Sequence, residues 1–499
     1  MGERSIVVIG AGPGGLATAM HLAHAGYKVN VFEKQPFIGG RTSRLSLGDF
    51  HFDRGPTFLN MPQILEKTFA AAGRSMQDYL QMIALDPMYR LQFADLSLDA
   101  TTNRERMGEA IEHLFPGNRA GYERFMQRES IRFAALAPLL QNKHDSLLDY
   151  LRPRFLRALP KLTVTQSLYD QLSLYFSDER LRLAFTFQAK YLGMSPWECP
   201  GAFTILSYME HAYGVHHPIG GLNQIPEAMR RVLVEHGGKV HTSQGIKQII
   251  VKNGRAIGVE LESGDRVHAD EVIINADFGF AASKLFAPGL LKRYAPAKLK
   301  RKTFSCSAFM LYLGLKKTHS HLPHHTILFS NDYKKNVQEI TNTMQLSADP
   351  SVYIHNASVT DSTLAPDNCS ALYVLAPVPN NRSGIDWQRE TPYFRQLLLQ
   401  QIQKAGFVDV EANIVEEQCL TPADWEHHMY VYDGATFSMG HRLTQMMYFR
   451  PHNRFEEVEG CWLVGGGTHP GSGLPTILES ANITARGIIE QSQNRRMTL

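Results

Sequence analysis

Ser5-Ile-Val-Val-Ile-Gly10-Ala-Gly12-Pro13-Gly14-Gly15 runs into a short apolar helix pattern, Gly26, and then Tyr27-Lys-Val-Asn-Val-Phe-Glu33. Residues 6–9 are β-branched and apolar, whereas Leu16, Met20 and Ala23 recur at helical spacing before a glycine placed as a C-cap. Residues 29–32 form a second strand that ends on an acid. Gly10 permits the tight turn, Gly12 admits a pyrophosphate close to the backbone, and Gly15 lets helix and strand pack. The helix N-terminus then turns its partial positive charge on the phosphates. Glu33 lies 18 residues past Gly15 (33 − 15), near the ~20 expected of the acid that holds the ribose hydroxyls. A lone glycine fingerprint is often only a loop. Here strand, turn, helix, strand and acid agree, and the stretch predicts a dinucleotide-binding βαβ unit.

The chain of 499 residues is long enough for two domains. Lys+Arg 51 against Asp+Glu 48 gives a net charge of +3, which argues against nucleic acid as a partner. Cys199, Cys306, Cys369, Cys419 and Cys461 are scattered and odd in number, so no disulfide framework or structural zinc site is expected, and the cytosol is the natural compartment. Residues 5–27 carry no Asp, Glu, Lys or Arg, but glycines and Pro13 break the run. Neither a spanning helix nor a cleavable signal is expected.

No repeat or flexible linker divides the chain, so any second domain must be threaded through the first. Residues 62–209 read mostly helical, with patterns over 64–72, 119–139 and 167–192. Residues 247–251, 256–261 and 266–268, separated by Asn253-Gly254 and Ser263-Gly264-Asp265, predict a β-meander. Residues 271–277 read as a buried strand returning to the nucleotide-binding sheet. Strands are expected near 307–314, 351–355 and 371–377, a helix over 390–405, and a last strand running into Gly465-Gly466-Gly467 before a helix over 476–491. The fold class is α/β: a Rossmann-like dinucleotide-binding domain of the βαβ type with an inserted α+β domain. Its parts fall at residues 1–70, 216–290 and 441–499 for the first domain. Residues 71–215 are a helical segment facing substrate and membrane, and residues 291–440 a mixed substrate domain.

Gly39-Gly40-Arg41, then Phe50-His-Phe-Asp53-Arg-Gly55-Pro56-Thr57, and Leu463-Val-Gly-Gly-Gly-Thr-His469-Pro-Gly471-Ser-Gly473-Leu474-Pro475 together resemble the flavin-dependent amine oxidase and phytoene desaturase superfamily. The narrower resemblance, to bacterial and fungal type phytoene desaturases, rests on residues 305–315, His324-His-Thr, residues 359–366, residues 373–379 and Tyr448-Phe-Arg-Pro-His-Asn-Arg454. It covers nearly the whole chain. The resemblance implies noncovalent FAD, held by Gly10, Gly12, Pro13, Gly14, Gly15, Glu33, Lys34, Gly40, Arg41, Gly55, Pro56, Gly466, Gly467, Gly473, Leu474 and Pro475. Arg41, an obligatory cation with planar donors, suits a pyrophosphate or flavin carbonyl. Backbone N–H groups of the terminal glycine segment would stabilise a reduced flavin.

Two departures bear on substrate. Tyr213-Gly-Val-His-His-Pro-Ile-Gly-Gly-Leu-Asn223 and Gly473-Leu-Pro-Thr-Ile-Leu-Glu-Ser-Ala481 look closer to enzymes of C30 diapophytoene-type chains than to C40 desaturases. The implied activity is desaturation of phytoene or 4,4'-diapophytoene to lycopene- or neurosporene-type products, with hydride passing to the flavin. The alternatives are a related carotenoid oxidase, ketolase or isomerase, and, from another class, a flavin-free prenyl-binding chaperone similar to Rab GDP-dissociation inhibitors. Oligomeric state stays open.

No serine elbow, HExxH helix or Walker loop is present. His319, His321, His324 and His325 cluster without the spacing of a defined metal site, and no metal is expected. The resemblance suggests an Asp/Arg pair near the flavin, for which Asp149 with Arg152 keeps i, i+3 spacing while Arg157-Ala-Leu-Pro160 fits the following residues better. A solvated basic helix face is the plain alternative. The same stretch sets Leu151, Phe155, Leu156, Leu159 and Leu162 among Arg152, Arg154, Arg157 and Lys161, a pattern that can lie on an anionic membrane. A water-insoluble polyene implies such a surface, and a peripheral place on the cytoplasmic membrane.

Overall fold

A computed structural model describes residues 4–497. Its organising element is a five-stranded parallel sheet in the order Lys239–His241, Lys28–Phe32, Ser5–Ile9, Glu271–Ile274, Cys461–Leu463. Its strands come from three separated stretches of chain. Ile9 sits level with both Phe32 and Ile274, so the loops that follow the central strands leave from one edge. That edge is where α/β sheets bind ligands. The helices Pro13–His24, Gln224–Glu235 and Leu474–Met497 cover one face through Leu16, Met20, Leu22, Met229, Leu233 and Leu478. The other face meets the predicted meander, Ile246–Lys252, Arg255–Leu261 and Arg266–His268, through Ile249 and Val259.

The second large sheet has seven strands in the order Ile414–Leu420, Ser307–Leu315, Ser370–Val378, Val352–Asn356, His325–Leu328, Tyr89–Gln92, Ser97–Ala100. Every residue of Ser307–Leu315 is buried, because the strand is covered on both sides. Phe309, Leu311, Leu313 and Leu315 pack under the helix Trp387–Lys404, whereas Ala308, Met310 and Tyr312 face Phe52 and Trp425. That helix begins at Trp387, three residues before the sequence expectation, because the Asp386 side chain accepts from the Gln388 and Arg389 N–H groups.

Two expectations are corrected here. Within the segment read as mostly helical, Met82–Ala84, Tyr89–Gln92 and Ser97–Ala100 are strands, and the last two extend the sheet formed by residues 307–420. Each shows only two inward apolar residues, Tyr89 and Leu91 or Leu98 and Ala100, too few for a period-2 pattern to stand out. The continuous helix expected over 167–192 is three pieces, Leu168–Ser173, Glu179–Ala184 and a 3-10 stretch Phe187–Leu192. Asp178 breaks it by accepting from the Arg180 and Leu181 N–H groups and so starting a new helix.

Candidate functional site

The glycine turn after Ser5–Ile9 is fixed by backbone geometry. Gly10 has φ +97° and donates its N–H to Phe32 O at 2.8 Å. A methyl group on Gly15 would stand 2.4 Å from Gly10 O, and one on Gly14 would stand 2.8 Å from Asn275 Oδ1. Asn275, just past the strand Glu271–Ile274, donates Nδ2 to Gly10 O at 3.1 Å and so ties the two central loops together. Pro13 is the first helical residue and Gly12 the N-cap, so the unpaired amides of that turn face the sheet edge. The C-terminal helix, which begins at Leu474 after Gly473, brings a second N-terminus to the same edge.

Opposite this turn, Gly39 N–H donates to Ala11 O at 2.8 Å. Gly40, with φ +54°, has only the Gly12 Cα, at 3.8 Å, near the place of a side chain, and Gly473 has only its own Thr476 hydroxyl. These are the open floors on which a flat or phosphorylated ligand can rest. Glu33 Oε2 accepts from the Ala11 N–H at 2.8 Å and Oε1 from the Gln35 N–H at 2.9 Å. Burial pushes this carboxyl up, opposed by those amides. Each oxygen retains a lone pair for a ribose hydroxyl. Turn, second strand acid and paired helix N-termini therefore fit the pyrophosphate and ribose of FAD.

Arg41 donates Nη2 to Asp277 at 2.7 Å and Nη1 to Thr436 O at 2.9 Å, bridging the Gly40 loop to the loop after Glu271–Ile274. Asp277 also caps the helix Phe278–Lys284. A side chain on Gly55 would stand 2.7 Å from Arg41 O, so the two loops are packed. Three tyrosines from three neighbouring strands hold the second loop on the large sheet. Tyr373 donates to Gly55 O at 2.8 Å, Tyr312 to Arg54 O, and Tyr353 shares a 2.6 Å hydrogen bond with Thr57. Next to it, Asp53 is fully buried with Oδ2 unpaired among the described residues, and burial raises its pKa.

The terminal glycine segment depends on a residue of the Tyr448–Arg454 motif whose role the motif does not reveal. Arg450 is completely buried and donates to four carbonyls: Thr468 O at 3.0 Å, Gly466 O at 2.6 Å, Gln445 O at 3.2 Å and Met439 O at 3.2 Å. Burial lowers its pKa to about 10, which still leaves it a cation. Other glycines of the segment serve different ends. Gly467 lies against Phe278, where a methyl group would come within 2.5 Å of Cβ, and Gly471 lies equally close to His441. Their missing side chains answer protein packing. Lys34, expected at the cofactor, gives its ammonium to Glu262 at 2.7 Å and lies 4.4 Å over the Tyr430 ring. Leu474 is buried among the helices of the first sheet, and Pro475 follows it in the first turn.

Asp149 and Arg152 do form an ion pair, at 2.8 Å. The Asp149 carboxylate is buried and also accepts from the Ser146 N–H at 3.1 Å, whereas Arg152 is half exposed. Their segment adjoins the terminal glycines, because the His144 ring stands 5.0 Å from the His469 ring. Arg157 is exposed on the short helix Pro153–Ala158, away from that contact. Phe155, expected on a membrane face, is instead buried with Leu136, Leu139 and Ile205. A cleft of about 620 Å³ opens close by, lined by Val164, Met194, Trp197, Pro200 and Leu443, with Glu198 and Arg442 3.7 Å apart at its rim.

The histidine run of the sequence is split by the fold. His319 bonds Val408 O, whereas His324 and His325 join His217 and His355 in a buried group. His217, His324 and His355 bring ring nitrogens within 4.8 Å, an arrangement able to hold a metal ion that residue spacing did not reveal. His324 and His355 share a 2.9 Å hydrogen bond, Asp361 orients His217 at 2.9 Å, and burial lowers the pKa of His324 and of His355 well below the usual range.

The family profile for flavin containing amine oxidoreductase matches residues 13–489. The chain is 48% identical over 493 residues to the 4,4'-diapophytoene desaturase (4,4'-diapolycopene-forming) of Methylomonas sp, covering 99% of this chain and 96% of the relative. It is 38% identical over 500 residues to the zeta-carotene-forming phytoene desaturase of Myxococcus xanthus, covering 99% and 96%. Among solved structures, putrescine oxidase superposes with a TM-score of 0.65 at 15% identity, covering 98% of this chain and 99% of the other, a likeness of fold alone. With a crevice fitted to FAD and a full-length match to both, the chain belongs to the flavin containing amine oxidoreductase family and, within it, to the phytoene desaturase group.

Proposed function

We propose that this protein is an FAD-dependent carotenoid desaturase that removes hydrogen from adjacent carbons of 4,4'-diapophytoene, with phytoene as the second substrate. One observation carries the reading: the His144 ring packs against His469 in the terminal glycine segment, and the turn that follows directs Leu147, Leu148 and Leu151 outward. The cofactor and an oily substrate are thereby brought to one place. The greater likeness to the C30 enzyme than to the C40 enzyme supports the shorter substrate.

FAD, when bound, supplies the hydride acceptor. Gly10, Gly12, Pro13, Gly14 and Gly15 would cradle its pyrophosphate, Glu33 would hold its ribose, and Gly40, Arg41, Gly55, Pro56, Gly466 and Gly473 would bring main chain to its ring end. Asp149, held by Arg152 and the Ser146 amide, is the carboxylate that this reading assigns to the proton leaving with each hydride. In this reading the 620 Å³ cleft, which Glu198 and Arg442 line 3.7 Å apart, takes the polyene end.

Among the described residues no helix is long and apolar enough to cross a membrane. Leu147, Leu148 and Leu151 are nonetheless 64%, 71% and 68% exposed, with Leu156 and Leu159 beside them. We read this face as the surface that rests in the headgroup layer of the cytoplasmic membrane. Competition between C30 and C40 precursors in detergent tests the substrate reading: conversion of both with preference for C30 is expected, and refusal of diapophytoene beside efficient phytoene conversion overturns the C30 assignment. Purified protein that is colourless and takes up no FAD would instead favour the chaperone alternative.

A further inference from the structure

A second cleft, of about 650 Å³, lies beside the exposed leucines and is lined by Lys292, Arg293, Lys298, Arg301 and Lys302 with Thr444 and Gln445. Five cations on one concave surface form an anion site by composition. Arg293 is paired with Glu456 at 3.0 Å, but the other four have no carboxylate within 4 Å among the described residues. Lys302 is half-buried, and burial together with the neighbouring Arg293 lowers its pKa, as crowded like charges do. Glu457, next to Glu456, is occupied by the backbone N–H groups of residues 292–294.

The cleft is structurally continuous with the apolar face. Thr444 lines both it and the neighbouring 620 Å³ cleft, whose wall includes the exposed Val164 and Leu443. Arg293 Nη2 donates to Tyr448 O, and the Tyr448 N–H donates to the Tyr150 hydroxyl at 2.8 Å. Tyr150 belongs to the turn Leu147–Leu151 that bears three of the exposed leucines, and Phe449, next to Tyr448, is 51% exposed. Apolar side chains and a cationic hollow therefore share one surface, the pairing that a phospholipid presents in reverse: acyl chains beside an anionic phosphate.

We propose that the Lys292–Lys302 cleft is a binding site for the phosphate headgroup of an anionic phospholipid, which fixes the orientation of the enzyme on the bilayer with the neighbouring substrate cleft facing the lipid. This rests on the membrane reading above but makes a separate demand, namely that the cations of this cleft, more than those of the leucine face, select anionic over zwitterionic lipid.

The test uses FAD-loaded full-length protein in flotation with vesicles of phosphatidylcholine alone and of phosphatidylcholine with phosphatidylglycerol, at one ionic strength. The triple variant Lys298→Gln, Arg301→Gln, Lys302→Gln should lose roughly a hundredfold in partition onto phosphatidylglycerol vesicles, about fivefold per charge, and keep only the residual preference due to Arg152, Arg154, Arg157 and Lys161. Flavin content and melting temperature report its folding, and Lys298→Arg with Lys302→Arg should retain binding. Leu148→Ser with Leu151→Ser should weaken binding to both vesicles. A triple variant that partitions onto phosphatidylglycerol vesicles as the wild type does, or a wild type indifferent to headgroup charge, overturns the proposal while leaving the apolar membrane face standing. A wild type that binds neither vesicle removes the membrane reading itself. Inorganic phosphate held in the cleft of a protein that ignores anionic vesicles would identify a free-anion site and overturn the lipid assignment.

Discussion

The FAD crevice and the leucine face stand against each other across the His144–His469 contact, yet they are built on opposite principles. In the crevice, function is written in what is missing. Gly14 and Gly15 admit no added atom, and Asn275 and Arg450 spend their donors on backbone carbonyls. On the leucine face, function is written in what is left over: Leu147, Leu148 and Leu151 are turned outward with no protein partner to bury them. The first region should break when packing is disturbed, and the second should tolerate changes that abolish its role.

The strongest way to break that contrast is Arg450→Met. It leaves four buried carbonyls without a donor, so a loss of roughly 4 kcal/mol or more in stability is expected, along with FAD release. Denaturant titration with flavin fluorescence measures both. An unchanged midpoint would mean that the terminal glycine segment holds itself. Gly15→Ala comes next, at about 3 kcal/mol, because its methyl group would meet Gly10 O at 2.4 Å. Absorbance of the purified variant should show little flavin, and full occupancy would show that the turn yields more than its geometry allows.

A titration sharpens the comparison from the helical side. Glu210 is buried against Gln188, Tyr89 and Asn60, and burial raises its pKa from 4.5 to about 7. The folded state thus binds this proton more tightly than the unfolded state. The group's contribution is fully present below the unfolded pKa and is lost as pH rises through about 7, a change of about 3 kcal/mol. Glu210→Gln should remove that slope and be the more stable protein at about pH 8. Parallel stability curves for variant and wild type between about pH 5 and pH 8 would contradict it. The smallest expected effect on stability belongs to Leu148→Ser with Leu151→Ser, within about 0.5 kcal/mol. Vesicle binding should nevertheless fall, and a large loss of stability would place these leucines in a core or an interface.

The same contrast explains which parts were legible in the sequence. Residues 5–33 were readable because a glycine needed for packing can be replaced by nothing else, and the meander because its turns carry Asn253-Gly254 and Ser263-Gly264. The clamps were not. Asn275 and Arg450 act through ordinary polar side chains whose partners lie 265 and 16 to 18 positions away for Gly10, Gly466 and Thr468. The leucine stretch has the same periodicity whether it faces protein or lipid, so Phe155 was expected outside and lies inside, while Leu147 and Leu148 were passed over. The basic run from Lys292 to Lys302 was visible as six cations in eleven residues, but only folding beside Thr444 and Tyr448 gives it meaning.

The most direct test of the account is an anaerobic single turnover. FAD-loaded protein on phosphatidylglycerol vesicles is mixed with 4,4'-diapophytoene, and flavin absorbance is followed together with that of the polyene. The account predicts loss of the oxidised flavin band in step with the appearance of a longer conjugated chromophore, one flavin reduced for each double bond formed. A flavin that stays oxidised in the presence of bound substrate, or a new chromophore formed without flavin reduction, would contradict it.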